Sequence, residues 1–166
     1  MVGLVCFAHG KESGPWGRKI TFLAEIAEHE GWAVESPDYR FTHDPDERVA
    51  HLLSLGFEHR QPLVLAGSSM GGYVSVVASS RWRPAGLFLM APALYMPGYE
   101  TDTAPQAGRT AVVHGWRDDV VPVDKALVFA RRYRAACHLL DSGHTLTDQL
   151  PLLGVLFRQL LTGIEA

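Results

Sequence analysis

The positions of apolar residues divide the chain into short strands that alternate with amphipathic helices. Continuous apolar runs are typical of strands buried on both faces of a sheet, and they predict six strands, at residues 2–8, 32–36, 63–66, 87–91, 111–114 and 137–140. Apolar residues at helical spacing predict five helices, at 15–30, from 45 to near 56, at 71–82, 124–133 and 149–161. This alternation favours right-handed βαβ units, and we predict an α/β fold with three layers, α/β/α, around a mostly parallel six-stranded sheet.

Two of the predicted helices begin with recognisable capping residues. In the stretch Asp44-Pro45-Asp46-Glu47 we predict an N-cap, a proline at the first helical position and a capping-box glutamate. Asp124 is predicted to cap the fourth helix. Between the fourth and fifth strands, residues 92–109 show little periodicity, and we predict a loop over the carboxyl edge of the sheet.

Composition narrows the class of protein and its partners. The chain has 166 residues, 47% of them hydrophobic and 20% charged, which suits one globular domain spanning residues 1–166. A net charge of −3 argues against a nucleic-acid partner.

The first residues lack the basic region of a signal peptide, and the uncharged stretch 85–99 is shorter than the ~20 residues of a membrane span. We therefore expect a cytoplasmic protein without membrane insertion, with Cys6 and Cys137 unpaired. No feature predicts an oligomeric state.

Candidate catalytic residues follow the ends of four predicted strands. The stretches HGKES, GSSMGG, HGWRDD and DSGH come after the first, third, fifth and sixth strands. The carboxyl ends of parallel strands meet at one edge of a sheet, where binding and catalysis concentrate in open α/β folds. The sequence therefore predicts that a serine, an aspartate and a histidine lie together at this edge.

The segment Gly67-Ser68-Ser69-Met70-Gly71 fits the pattern G-x-S-x-G, with Ser69 at its centre. A strand that reverses directly into a helix strains the central residue, and glycines two positions away provide clearance. The helix N-terminus would then offer the Met70 backbone N–H to an anion. Taken alone, the pentapeptide fits equally well a glycine-rich turn with a serine helix cap. Ser68 lacks glycines at these distances, and we expect it to be structural.

These motifs together resemble the α/β-hydrolase family, in particular its small, lidless bacterial serine esterases. His9-Gly10 resembles the oxyanion-loop signature, which implies that the next residue, Lys11, donates its backbone N–H. The segment 114–122, HGWRDDVVP, resembles the one that supplies the catalytic acid and places it on Asp118, with Asp119 as the rival. Ser142-Gly143-His144 resembles the step that supplies the base. Chains of this family are commonly longer and carry a cap after the fourth strand. Here only a loop follows that strand, so we predict a minimal six-stranded sheet without a cap domain.

The predicted chemistry is ester hydrolysis through an acyl-enzyme. Ser69 would be the nucleophile, His144 the base and Asp118 the residue that orients it, with the Met70 and Lys11 amides as the oxyanion hole. Trp16, Tyr95 and Met96 are predicted to line the substrate pocket, although core packing fits Trp16 equally well. We expect a small-molecule ester substrate and neither a cofactor nor a metal site. Two alternatives remain, a thioesterase acting on acyl-CoA or an acyl carrier and a non-catalytic interaction module.

Overall fold

Strands and helices alternate along the chain in the structure, a computed structural model that describes residues 2–164. The strands are β1 (Leu4–Ala8), β2 (Ala33–Glu35), β3 (Leu63–Ser68), β4 (Gly86–Met90), β5 (Arg109–Gly115) and β6 (Ala136–Leu140). The helices are α1 (Arg18–His29), α2 (Pro45–Ser54), α3 (Met70–Trp82), α4 (Val123–Tyr133) and α5 (Leu150–Thr162). Short 3₁₀ turns at Phe57–His59 and Thr147–Gln149 precede β3 and α5.

The six strands form one sheet in the order β2-β1-β3-β4-β5-β6, and every neighbouring pair is parallel. The predicted three-layer architecture with a minimal six-stranded sheet is therefore confirmed, and no cap domain interrupts residues 2–164. From β1 the chain adds β2 on one side and then β3 on the other. The direction in which strands are added therefore reverses between the neighbouring strands β1 and β3. Their carboxyl ends carry the HGKES and GSSMGG turns, so these two turns meet at the sheet edge.

Two apolar cores cover the two faces of the sheet. Alternate residues of β1 point to opposite cores, with Cys6 in one and Phe7 in the other, which explains why the strand is continuously apolar. Helices α2, α3 and α4 supply the first core through residues such as Leu52 and Phe129. Helices α1 and α5 supply the second, where Phe157 packs against Phe88 with ring centroids 5.0 Å apart.

Helix α3 lies against the centre of the sheet and is buried on nearly all sides. Eleven of its residues are buried, including Tyr73, Val77 and Trp82. A helix that is apolar around its circumference belongs in the interior of an α/β fold rather than at its surface. Because this helix follows the G-x-S-x-G turn directly, its packing holds the turn rigidly at the sheet edge.

The helix starts differ in detail from the predictions. Asp44 does cap α2, and its Oδ1 accepts from the backbone N–H groups of Asp46 and Glu47. Glu47, however, accepts a hydrogen bond from the Thr42 hydroxyl instead of closing a capping box, because Thr42 Oγ1 already takes the Asp44 N–H. Asp124 does not cap α4. It lies inside the first helical turn, since Pro122 occupies the N-cap position.

Residues 91–108 form the predicted loop between β4 and β5, without helix or strand. Cys6 and Cys137 are both unpaired, one on β1 and the other on β6. Among residues 2–164, no helix combines the length and apolar character needed to span a bilayer.

Candidate active site

The G-x-S-x-G segment forms a sharp turn between β3 and α3, with Ser69 at its apex. Ser69 has φ 53° and ψ −118°, a conformation that side-chain-bearing residues rarely adopt. The main chain holds it there, because Ser69 N donates to Met90 O at 3.0 Å and Ser69 O accepts from the N–H groups of Gly72 and Ala93, each at 2.9 Å. The strained turn therefore raises the Ser69 hydroxyl above the sheet edge.

The two glycines that flank Ser69 allow the turn to close. A Cβ on Gly67 would lie 2.1 Å from Gly71 O, and one on Gly71 would lie 1.9 Å from Ala8 O at the end of β1. Both distances are far below van der Waals contact, so no side chain fits at either position. The glycines give clearance between the strand, the helix and β1, as the sequence pattern predicts.

The structure brings Ser69, His144 and Asp118 together in a hydrogen-bonded chain. Ser69 Oγ lies 3.1 Å from His144 Nε2, and His144 Nδ1 lies 2.7 Å from Asp118 Oδ2. Because a carboxylate only accepts, the Nδ1 atom carries the hydrogen and Nε2 is left to accept from the serine hydroxyl. This is the tautomer that a general base for Ser69 requires.

Asp118 is held in one orientation by the loop that follows β5. Its side chain is 0% exposed, and Oδ1 accepts from the N–H groups of Val120 and Val121 at 2.9 and 2.8 Å. His114 Nε2 donates to Val121 O at 2.9 Å, which leaves the ring beside the carboxylate, with Nε2 3.1 Å from Asp118 Oδ2. The neighbouring Asp119 is exposed to solvent. The geometry therefore favours Asp118 over its rival.

Main-chain contacts join the loop after β6, which carries His144 (the histidine loop), to the loop after β5, which carries Asp118 (the aspartate loop). Trp116 N donates to Leu140 O at 2.9 Å, and Arg117 N donates to Ser142 O at 3.0 Å. A Cβ on Gly115 would lie 2.3 Å from Ser142 O, so the two loops pack as closely as glycine permits. The distance between Asp118 and His144 is thus set by the backbone of the two strand ends.

Two backbone N–H groups near Ser69 are candidates for an oxyanion hole. In the described part of the chain, the N–H groups of Met70 and Lys11 donate to no protein acceptor. The Lys11 loop lies beside the nucleophile, since a Cβ on Gly10 would be 3.5 Å from Ser69 Cβ. Met70 is the first residue of α3, so its N–H lies at the positive end of the helix dipole.

His9 supports this loop and is not placed to act as a base. Its Nε2 accepts from Tyr39 N at 2.9 Å, so the hydrogen is on Nδ1, which donates to Gly10 O at 2.8 Å. The ring is buried, and burial lowers the pKa of His9 below its ordinary value. His9 therefore stays neutral and holds the carbonyl that precedes the Lys11 N–H.

A cavity of about 590 Å³ opens beside Ser69 and His144. Of the predicted pocket residues, Met96 lines it, whereas Trp16 and Tyr95 do not. Trp16 is 53% exposed on the loop before α1. Tyr95, which has φ 55°, packs against the first apolar core, and Tyr99 lines the cavity instead.

Lys19 is a cavity residue that the sequence patterns did not single out. Its ammonium donates to Thr145 O at 2.9 Å, directly beside the catalytic histidine candidate. Burial lowers the pKa of Lys19 to about 8, and the negative charge of Asp118 opposes this shift. In sequence, Lys19 resembles any solvent-facing lysine at the start of an amphipathic helix.

Comparisons with known proteins agree with the fold described above. Residues 4–102, which carry the proposed nucleophile and oxyanion loop, match the model of the uncharacterised protein family UPF0227. A crystal structure from Xanthomonas campestris pv. campestris, described as a candidate hydrolase of the alpha/beta superfamily, is 33% identical. The match covers 97% of this chain and 99% of that protein, with a TM-score of 0.88. The chain belongs to family UPF0227, within the α/β-hydrolase group.

More distant structures share the fold of this UPF0227 member. Est1E from Butyrivibrio proteoclasticus is 17% identical with a TM-score of 0.82, over 97% of this chain and 87% of that one. A lidless α/β serine hydrolase from Xanthomonas campestris is 20% identical with a TM-score of 0.72, over 100% and 85%. No curated protein matches the sequence.

Proposed function

We propose that this UPF0227 protein is a serine hydrolase that cleaves small or short-chain carboxylic esters through an acyl-enzyme. One observation carries the proposal: Ser69 Oγ, His144 and Asp118 form a hydrogen-bonded chain with separations of 3.1 and 2.7 Å. A serine hydroxyl needs a base within hydrogen-bond reach to become a nucleophile at neutral pH. The hydrolase fold and the relatives described above support the same class of reaction.

In the proposed first half-reaction, Ser69 Oγ attacks the ester carbonyl carbon while His144 Nε2 takes the hydroxyl proton. Asp118 stabilises the imidazolium through the hydrogen bond at Nδ1. The negative charge on the tetrahedral oxygen is held by the N–H groups of Met70 and Lys11. His144 then gives its proton to the departing alkoxide, so an alcohol leaves and the acyl group stays on Ser69.

In the second half-reaction, a water molecule enters through the open cavity and His144 removes one of its protons. The resulting hydroxide attacks the acyl carbonyl, and the bond to Ser69 Oγ breaks with return of the proton to the serine. The carboxylic acid product then leaves. This sequence uses no group beyond the side chains and main chain already described.

The shape of the site supports a small substrate with few contacts to its leaving group. The cavity of about 590 Å³ is bounded by the oxyanion loop, the histidine loop and the loop after β4, through residues such as Met96 and Tyr99. A site without a lid encloses little of the leaving group, so we expect broad acceptance of alcohols and a stronger preference for acyl length.

A thioesterase acting on acyl-CoA or an acyl carrier is the second candidate, and one observation favours it. Folding brings three cationic side chains to the cavity, those of Lys11, Arg18 and Lys19, with Glu12 as the acidic residue among the lining. All three lie within residues 11–19, so the loop after β1 and the start of α1 bring them to the same wall. They would attract a phosphate-bearing leaving group. A higher kcat/KM for a CoA thioester than for the p-nitrophenyl ester of the same acid would favour this candidate.

Labelling with a fluorophosphonate probe tests the proposed function. Wild-type protein should react with one equivalent of probe, and Ser69→Ala should not react. Ser68→Ala is the matched control, because it removes the neighbouring hydroxyl from the same turn, and it should retain labelling at Ser69. Equal labelling of wild type and Ser69→Ala, or no labelling of correctly folded wild type, would refute the proposal and favour a non-catalytic interaction module.

A further inference from the structure

Arg48 is a charged residue in the first turn of α2, yet its side chain is among the largest that are fully buried, at 0% exposed. Its guanidinium donates to main-chain carbonyl oxygens on two loops. Nε donates to Thr42 O at 3.0 Å, and Nη1 donates to His9 O at 3.3 Å and Gly10 O at 3.1 Å. Nη2 donates to Lys11 O at 3.2 Å. Three consecutive carbonyls of the oxyanion loop are therefore bound by one side chain.

The guanidinium has no direct carboxylate partner in residues 2–164. The arginines that form carboxylate ion pairs within 4 Å are Arg40, Arg60, Arg117 and Arg158. A buried cation without a counter-ion is costly, and burial accordingly lowers the pKa of Arg48. The guanidinium carbon lies 5.7 Å from the centre of the Tyr39 ring. Packing alone would be served as well by an apolar side chain, so the arrangement points to a role for the charge.

The Gly10 carbonyl belongs to the same planar peptide unit as the Lys11 N–H. In a trans peptide the C=O and N–H bonds point in opposite directions, so an anchor on the oxygen also sets the direction of the N–H. Gly10 O accepts from Arg48 Nη1, from His9 Nδ1 at 2.8 Å and from Ser13 Oγ at 3.4 Å. A positive charge at the oxygen also polarises the peptide and strengthens its N–H as a donor.

We infer that Arg48 is a positioning residue of the oxyanion hole, which acts through the Gly10–Lys11 peptide unit. The guanidinium keeps the Lys11 N–H directed at the tetrahedral oxygen and makes it a stronger donor as negative charge develops there. This inference rests on the proposed function, since it assigns a supporting residue to the same site. Arg48 itself touches no reacting atom.

A purely structural role for Arg48 makes a different prediction from a positioning role. Loss of a structural residue lowers the folded fraction but leaves the kinetics of each folded molecule unchanged. Loss of a positioning residue weakens transition-state binding more than substrate binding, so kcat falls while KM stays nearly constant. It also weakens the binding of a boronic acid, whose tetrahedral adduct with serine places an oxygen in the oxyanion hole.

The test compares Arg48→Met, Arg48→Lys and Leu52→Ala in folded full-length protein. Leu52→Ala is the matched control because it opens a cavity on the same helix, and the Leu52 side chain has no polar group that could bind the loop carbonyls. We expect Arg48→Met to lower kcat about 100-fold with KM within about threefold, by analogy with loss of one oxyanion donor. Arg48→Lys keeps the charge but has fewer hydrogen-bond donors, and we expect kcat to fall about tenfold. Boronic acid affinity should fall in parallel with kcat across these variants.

The outcomes separate this inference from the proposed function. The inference is overturned if Arg48→Lys, which is the variant better able to fold, keeps wild-type kcat and boronic acid affinity. It is also overturned if Leu52→Ala loses as much kcat as Arg48→Met. Failure of wild-type protein to react with a fluorophosphonate would instead remove the proposed function, and the Arg48 assignment with it.

Discussion

The site has two ends that are built in different ways. The acid–base end, formed by Asp118, His114 and His144, lies on the adjacent strand ends β5 and β6. The oxyanion end consists of the loop 9–11 after β1 and the groups that hold it, and its main anchor is Arg48 on the distant helix α2. Local main-chain contacts fix the first end, whereas a buried side chain from elsewhere in the chain fixes the second.

This difference decides which parts of the site a sequence can predict. Asp118 and His144 each lie within a short motif at a strand end, and the strand order brings these motifs together. Arg48 lies in the stretch DPDERV, where charged residues indicate an exposed first helical turn. Its burial depends on how α2 packs against α3 and approaches the loop after β1, which no local pattern encodes. The residues proposed to perform the chemistry were predictable, but the residue proposed to support the oxyanion loop was not.

The fold shows the same division between local and distant causes. Apolar runs predicted all six strands and five helices, because burial on both faces of a parallel sheet leaves a strong pattern. The side chains at the ends of helices were less predictable, as Glu47 and Asp124 show. The cavity wall was least predictable, because Tyr95 and Gly98 have positive φ in a loop without periodicity, and Tyr99 rather than Tyr95 lines the cavity.

The largest expected effect falls on the acid–base end. Asp118→Asn would replace the carboxylate that accepts from His144 Nδ1, so the base would lose its required tautomer. We expect kcat for an activated ester to fall by about 10³–10⁴-fold, the loss typical of a Ser-His-Asp hydrolase without this carboxylate. Asp119→Asn is the matched control and should change kcat less than about threefold. A larger loss from Asp119→Asn would show that the acid has been assigned to the wrong residue.

A smaller effect is expected from His9, the second support of the oxyanion end. His9→Phe keeps the buried ring but removes the bond to Gly10 O and leaves Tyr39 N without its acceptor. We expect a loss of about tenfold in kcat and of about 1–3 kcal/mol in the free energy of unfolding. Ester hydrolysis and urea unfolding measure the two quantities. His29→Phe, at an exposed position, should change neither, and an equal kcat loss there would argue against the role given to His9.

The His9 variant also has an expected pH dependence. The pKa of His9 is lowered in the folded state, so below about pH 6.5 the unfolded chain binds a proton that the folded chain does not. Wild-type protein therefore loses stability relative to His9→Phe as the pH falls from 7 to 5. A stability difference between the two proteins that grows with acidity would contradict this expectation.

The smallest effect is expected at Lys19, on the cavity wall between the two ends. Its folded-state pKa is about 8, so the cost of burying the ammonium is fully present at pH 7 and is relieved as pH rises above 8. Relative to Lys19→Met, wild-type protein should gain on the order of 1 kcal/mol in unfolding free energy between pH 7 and pH 10, allowing for partial exposure. Chemical unfolding at both pH values measures the difference. An unchanged difference would show that Lys19 titrates as an ordinary exposed lysine.

Trapping of the acyl-enzyme tests the central claim most directly. Rapid mixing with p-nitrophenyl butyrate, followed by acid quench and mass spectrometry, should show a burst of p-nitrophenol and a butyryl group on the peptide that contains Ser69. The acyl group should be absent from Ser69→Ala and present on Ser69 in Ser68→Ala. Turnover of the ester without an acylated peptide, or an acyl group on any other residue during turnover, would contradict the assignment of Ser69 as the nucleophile.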